Sequence, residues 1–198
     1  MVDAIRVYFE GDKKLKPGFH TLFGQFVRTG LKFHLIQGNG GSETIKDFVD
    51  ALRTHPNAFN VLLIDSDGPD DGQLIPNLKS RSEWDSQVAG SVSDDQIHFM
   101  VQVMEAWFLA DRNALKAYYD GGFSENQSPP NPNVEQVPKD DVINGLLNAT
   151  RGTQKKTYHK TKHAPELLTR IDPAKVRNAA PSCDRLFKAL EAAVGQPG

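Results

Sequence analysis

Apolar and polar residues alternate from Ile5 to Phe9, and the run stops at Glu10-Gly11, which predicts a short strand. Phe19, Leu22, Phe23, Phe26 and Val27 then recur at spacings of three and four. That is the face of a helix beginning near Pro17-Gly18 and ending near Gly30. Leu31 to Ile36 predicts a second strand; Gly38-Asn39-Gly40-Gly41 breaks it, and Ser42 is placed to cap the next helix. The apolar stripe of that helix is Ile45, Phe48, Val49 and Leu52. Val61 to Ile64 is wholly apolar, as a strand buried on both faces would be, and it runs straight into Asp65-Ser66-Asp67-Gly68. Alternation of strand and helix predicts an α/β fold, a Rossmann-like and mainly parallel sheet with helices on both faces and right-handed crossovers.

Farther along, the pattern loosens. Residues 69–95 are rich in Asp, Gly, Pro and Ser and read as a loop with a short helix around Trp84. Gln96 to Val101 predicts another strand, Glu105 opens a helix through Trp107, Phe108 and Leu109, and a further helical stretch carries Leu115 and Tyr118. Gly121 to Pro138 contains Gly-Gly, Pro-Pro and Asn-Pro-Asn and reads as irregular. Helices are expected at 139–150, 164–171 and 183–194. The organisation this implies is an α/β core over 1–120, an irregular loop over 121–138, and a mostly helical C-terminal part over 139–198 packed on the core.

Composition narrows the classes. The 198 residues suit one domain or one domain with an appendage, large enough to bury a core without disulfides or structural zinc. A net charge of −2 excludes a globally basic nucleic-acid coat, so any nucleic-acid site must be a local patch. Cys183 is the single cysteine, which rules out an internal disulfide and suits a reducing compartment; beside Pro181 and Ser182 it reads as a packed thiol. The opening Met-Val-Asp-Ala-Ile-Arg has no basic or apolar signal region, and no apolar run approaches the ~20 residues of a membrane helix. The expectation is a cytoplasmic protein without membrane association.

The candidate chemistry lies where strands end. Glu10 ends the first predicted strand and Asp65 the third, and carboxyl ends of strands line the ligand crevice of an open parallel sheet. Asp65 and Asp67 are two apart, so an extended backbone aims both to one side. Carboxylates so placed repel unless a cation joins them, and oxygen donors select a hard ion, Mg²⁺ or Mn²⁺. The competing reading of Asp-Ser-Asp-Gly is a plain turn. Glu105 is a further candidate, as a ligand or as holder of a metal-bound water, against the alternative of a helix-start acid favoured by the macrodipole. Trp107, Phe108 and Leu109 read as core.

Arg151, Lys155, Lys156, His159, Lys160, Lys162 and His163 form a basic stretch ahead of Ala164-Pro165-Glu166, which reads as a helix start with proline in its first turn. A basic loop feeding a helix N-terminus can bind phosphate, with Lys155, Lys160, Lys162 and His163 as contacts; a solvated loop is the alternative. Gly38-Asn39-Gly40-Gly41-Ser42 has the position of a phosphate cradle or of a tight turn, and lacks both the Walker lysine and dinucleotide spacing.

Several segments together resemble the DUF4276 family of bacterial Toprim-like proteins. They are Val7-Tyr8-Phe9-Glu10-Gly11, the glycine turn 38–42, Leu63-Ile64-Asp65-Ser66-Asp67, Glu105-Ala106-Trp107-Phe108-Leu109-Ala110-Asp111 and Tyr158-His159-Lys160-Thr161-Lys162-His163-Ala164. The Glu-Ala-Trp-Phe-Leu-Ala-Asp string is the most specific; the Glu10 and Asp65-Ser66-Asp67 pieces alone are shared with all Toprim domains. The resemblance implies a Toprim-like fold, with Glu10, Asp65 and Asp67 holding magnesium for phosphodiester chemistry. It implies that Glu105 matches an additional acid of the overcoming-lysogenization-defect nucleases, and Lys160 the family's basic position. Such relatives are often encoded beside an ATPase and associated with phage defence. Glu10-Gly11-Asp12-Lys13-Lys14 departs from the pattern, since many relatives carry more acid after the glycine.

The function expected from these readings is a metal-dependent nuclease or related phosphodiester-processing enzyme, with Glu10, Asp65, Asp67, Glu105 and Lys160 as its catalytic set, Mg²⁺ or Mn²⁺ as cofactor and DNA or RNA as partner. One alternative is a non-catalytic nucleic-acid-binding or regulatory subunit of a partner ATPase, using Trp84, Trp107 and the loop 121–138 as contact surfaces. Another is a magnesium-dependent small-molecule phosphotransferase.

Overall fold

The computed structural model describes residues 2–27, 31–84, 88 and 90–195. Its strands are β1 (Ala4–Glu10), β2 (Lys32–Gly38), β3 (Phe59–Asp65) and β4 (Ile97–Met100). The α-helices among the described residues are α1 (Lys16–Leu22), α2 (Gly24–Val27), α3 (Gly41–Thr54), α4 (Leu74–Lys79), α5 (Ala106–Ala110), α6 (Arg112–Tyr119), α7 (Lys139–Thr150), α8 (Lys160–Leu168), α9 (Pro173–Ala179) and α10 (Pro181–Val194). The strands form one sheet in the order β2-β1-β3-β4, each neighbouring pair parallel. This is the α/β architecture that the alternating pattern implies, with a helical C-terminal part.

Phe9 pairs with Leu63, Glu10 with Gly38 and Asp65 with Met100. Glu10 and Asp65 therefore leave the sheet at the same edge, on adjacent strands. The chain moves from β1 to one side for β2 and to the other side for β3, so the order reverses between β1 and β3. That is where open α/β sheets bind ligands.

Side chains alternate across the sheet as the pleat requires. Ile5, Val7 and Phe9 of β1, Val61 and Leu63 of β3 and Met100 of β4 enter one core; Tyr8, Leu62, Ile64, Ile97 and Phe99 enter another on the opposite face. α3 covers the second face with Ile45, Phe48 and Val49, and Trp84 packs edge-on against Phe48 at 5.9 Å. The first core runs without interruption from β1 through α1 to Phe187 and Leu190 of α10, so the C-terminal helices lie on the α1 side of the sheet.

Several boundaries differ from expectation. β4 is one residue shorter at each end than 96–101. The helix within 69–95 lies at Leu74–Lys79, ahead of Trp84. The expected end of the first helix at Gly30 falls outside the described residues. Ser42 does not cap α3: that helix starts one residue earlier, where Gly40 at φ 90° turns the chain and accepts from Thr44. The Ser42 hydroxyl instead donates to Glu83 at 2.6 Å. The helix expected at 164–171 begins at Lys160, and Pro165 sits inside it. α9 was not anticipated, although Asp172 caps it and Pro173 opens it. Loop 121–138 contains 3-10 turns at Glu125–Gln127 and Val134–Gln136. Trp84 and Trp107 are 8 % and 0 % exposed, so neither offers a contact surface.

Candidate functional site

At the end of β1 the chain turns sharply away at Gly11, φ 136°, where a Cβ would stand 2.7 Å from Leu15. Only glycine suits that turn, and it leaves the Glu10 carboxylate at the sheet's edge. Asp12 caps the next 3-10 turn by accepting from the Lys14 N–H, so it is engaged locally. Beside Glu10, the close approach of Gly38 to Thr44 brings the start of α3 against the carboxylate, and a Cβ on Gly41 would lie 3.4 Å from Glu10 Oε2. The glycine turn thus presents its helix N-terminus to the chain's own carboxylate. Burial, then the charge of Asp67, raises the Glu10 pKa; the N–H groups of Asp65 and Gly41 and the Lys160 ammonium oppose the shift.

Asp65 ends β3, and its Oδ1 accepts from the Met104 N–H at 2.9 Å. Its pKa is pushed up to about 7, first by burial and then by Glu105 and Glu10, against the opposing charge of Lys160. Asp67 departs from expectation. Its φ is 57°, a left-handed turn and not an extended backbone, because the segment is tied to the end of β4: Ser66 N–H donates to Met100 O and Asp67 N–H to Gln102 O. Its side chain is 67 % exposed and pairs with Lys139 Nζ. The Asp67 charge still reaches Glu10.

Glu105 is completely buried. It precedes the short α5 without capping it. Its Oε1 accepts from the Tyr158 hydroxyl at 3.0 Å and lies 3.4 Å from Lys160 Nζ, while Oε2 is buried with no hydrogen-bond partner. Lys160 also lies 3.7 Å from Asp65. Desolvation works against its ammonium, but Glu105 and Asp65 outweigh that and raise its pKa. Burial and then Glu105 raise the Tyr158 pKa, keeping the phenol a donor. A hollow of about 140 Å³ opens among Glu10, Gly40, Asp65, Met104 and Lys160.

The basic stretch divides. Lys160 joins the acids from the first residue of α8. Lys162 is exposed. Lys155 lies over the Tyr118 ring, 4.6 Å from its centroid. His163 is corrected from a phosphate contact to a packed residue: it is 9 % exposed, and its Nδ1 receives the His159 N–H at 3.2 Å and faces the Tyr119 hydroxyl at 3.0 Å. Burial and the neighbouring His159, Lys155 and Lys162 lower its pKa, which favours the neutral ring that can accept. Sequence reasoning missed Lys139 and the Tyr158–Glu105 bond. One signal was available: lysines in the first turns of α7 and α8 oppose the helix macrodipole and so call for an acid elsewhere.

Among the described residues, no group of three or more His, Cys, Asp or Glu side chains converges closely enough to form a ready-made metal cage. The donors fit a magnesium-type ion that keeps several waters beside one or two carboxylates. Glu10 and Asp65 line the hollow and resist ionisation, a cost that a divalent cation would relieve. Glu105 adds an unanswered carboxylate oxygen behind them.

Sheet order and acid placement define an α/β protein with a charged crevice at its β1/β3 switch point. The model for a domain of unknown function, DUF4276, matches residues 13–191. The chain therefore belongs to the DUF4276 family, with Glu10 just ahead of the matched span. No curated protein and no solved structure matches the chain. No helix among the described residues is long and apolar enough to cross a membrane.

Proposed function

We propose that this chain is a metal-dependent nuclease, or a related phosphodiester-processing enzyme of the Toprim type, acting at the carboxyl edge between β1 and β3. The observation that carries this reading is the gathering of Glu10, Asp65 and Glu105 with Lys160 at that edge, beside a hollow into which Glu10, Asp65 and Lys160 face. Glu10 and Asp65 would hold a Mg²⁺ or Mn²⁺ ion, which when bound supplies the Lewis-acid assistance of phosphodiester hydrolysis. Glu10, whose carboxyl holds its proton more tightly than an ordinary glutamate because it is partly buried beside Asp67, is suited to take or give a proton. Lys160 is suited to neutralise charge on phosphoryl oxygens. Tyr158 keeps Glu105 oriented toward Lys160, and Lys139 steadies Asp67.

One observation favours the alternative of a nucleic-acid-binding or regulatory subunit: Lys160 and Lys139 already balance acids of this cluster. The two readings separate in one assay. Mixed DNA and RNA is incubated with Mg²⁺ or Mn²⁺ and, in parallel, with a chelator. The nuclease reading expects cleavage only with metal, lost in Glu105→Gln while the variant remains folded by circular dichroism. Nucleic-acid binding without cleavage in either arm would favour the regulatory subunit.

A further inference from the structure

We infer that the outer edge of β2 docks an extended, acidic segment of another protein, which joins the sheet as a further strand. Its apolar side chains enter a hollow at Phe33 and Leu35, and its acidic ones meet Lys16 and Lys32.

The sheet has two edges, and the chain treats them differently. β4 is four residues long. Arg185 of α10 lies against it, donating from Nη2 to Ile97 O at 2.6 Å and from Nη1 to Asp94 O, just ahead of the strand, at 3.1 Å. β2 is seven residues long, as are β1 and β3, and it pairs with β1 without a break from Lys32 to Gly38. Proteins blunt an edge with short strands, prolines, bulges, charges or a covering element. Of these β2 has only Lys32, at its first position. Among the described residues no strand pairs with its outer side, and the one side chain donating to its backbone is Gln37, to Gly38 O at 2.8 Å. The outer side therefore presents a row of N–H and C=O groups with no partner strand.

The side chains along this edge are spaced for a neighbouring strand. Phe33 and Leu35 stand beside Ile5 and Val7 in the register and share their face of the sheet. Ile5 and Val7 are fully buried, whereas Phe33 and Leu35 are only half-buried. With Lys16, Pro17 and His20 of α1 they line a hollow of about 350 Å³. Apolar positions two apart receive alternate side chains of an added strand, which gives such docking its specificity. On the opposite face Lys32 and His34 are exposed, and Arg6 stands beside His34 in the register.

Charge selects the occupant. Among the described residues no salt bridge joins Arg6, Lys16, His20, Lys32 or His34 to an acid. Burial, then the positive charges of Arg6, Lys32 and His55, lower the His34 pKa. The edge is thus cationic on both faces, through Lys16 on one and Lys32 on the other. Arg6, one strand or ~4.8 Å farther in, adds to the field more than to contact. The β2 of a second copy carries no acid to meet these cations. A nucleic-acid strand would meet the cations but leave the apolar hollow and the backbone row unmatched. A peptide strand in which acidic and apolar residues alternate matches all three.

The test uses the full chain and a labelled seven-residue peptide, the length of β2, in which Glu and Leu alternate. One control peptide carries Lys in place of Glu. Another keeps the acidic sequence but is N-methylated at every second residue, which removes main-chain donors and leaves charge and side chains unchanged. Fluorescence anisotropy compares wild type with Lys16→Glu/Lys32→Glu and the milder Lys16→Gln/Lys32→Gln, each shown to fold by circular dichroism. The expected result is saturable binding of the acidic peptide to wild type, at least tenfold weaker after N-methylation. Lys16→Glu/Lys32→Glu should lose at least tenfold and prefer the Lys peptide, and Lys16→Gln/Lys32→Gln should weaken binding without that reversal. Hydrogen exchange should slow at β2 amides on binding and stay unchanged at β4. No saturable binding would overturn the inference, as would equal binding of the N-methylated peptide, which would mean charge attraction without an added strand. A free chain that sediments as a dimer with its β2 amides protected would assign the edge to a second copy and overturn it. Displacement of the peptide by a single-stranded oligonucleotide whose own affinity is lost in Lys16→Glu/Lys32→Glu would assign the edge to nucleic acid and likewise overturn it.

Discussion

Glu105 and Asp111 open and close one short string, both are buried, and each meets a lysine from the C-terminal helices. Their surroundings differ completely. Asp111 Oδ1 accepts from the Ala114 N–H at 3.2 Å and Lys175 Nζ at 2.7 Å, and Oδ2 accepts from the Asp172 N–H at 3.0 Å. Burial opposes ionisation there, but Lys175 and the two N–H groups win and lower its pKa. Glu105 has one oxygen engaged and the other buried without a partner, and beside it Asp65 and Glu10 are shifted upward. An acid that fastens helices together has its lone pairs answered. Acids gathered at the sheet's edge keep unanswered capacity, which costs stability unless a ligand meets it.

The strongest break of this contrast is Asp65→Asn. Cleavage should fall at least a thousandfold, about 4 kcal/mol of barrier, in a single-turnover assay with Mg²⁺. The same change should help the fold. Because the folded-state pKa of Asp65 lies near 7 against an ordinary 3.8, the unfolded chain releases its proton first as pH rises. Wild type in a chelator should therefore lose roughly 1.4 kcal/mol per pH unit from this group across that window. Urea midpoints at pH 5 and pH 7 should show that loss shrinking in Asp65→Asn; an unchanged slope would contradict the assignment.

Asp111→Ala should do the reverse. It removes a helix cap and a charge-assisted bond, and stability should drop by about 2–3 kcal/mol, while cleavage per folded molecule is kept. Its lowered pKa adds stability at neutral pH that fades as acid protonates the folded carboxylate, so the variant and wild type should converge at low pH. Urea denaturation at pH 7 and pH 3 reads both effects.

Tyr158→Phe sharpens the comparison with the smallest change. It deletes one hydrogen bond to Glu105 and should cost about 1 kcal/mol, with cleavage slowed about tenfold. Equal activity in Tyr158→Phe and wild type would make the bond purely structural.

The sheet was legible because β1 alternates, β3 is apolar on both faces, and each ends its run on an acid. Glu10 and Asp65 followed directly from those strand ends. Asp67 did not, because spacing of two implies one side only on an extended backbone, and its left-handed turn is imposed by β4 residues far along the chain. The start of α8 differs from expectation because Pro165 resembles a first-turn proline, while the true first turn is basic and lacks apolar periodicity. Lys139 and Asp67 are 72 positions apart, and a contact of that range leaves no periodic trace. His163 read as basic surface because its burial depends on Tyr118, Tyr119 and Tyr158 folding over it.

The central claim is that the carboxyl edge between β1 and β3 holds a divalent metal through Glu10 and Asp65. Isothermal calorimetry of Mn²⁺ binding to the full chain, in wild type, Glu10→Gln, Asp65→Asn and Asp111→Asn, tests it without depending on any substrate. The account predicts saturable binding in wild type and Asp111→Asn, weakened at least tenfold in Glu10→Gln and Asp65→Asn. Unchanged manganese affinity in both of the latter, with each variant folded, would contradict it.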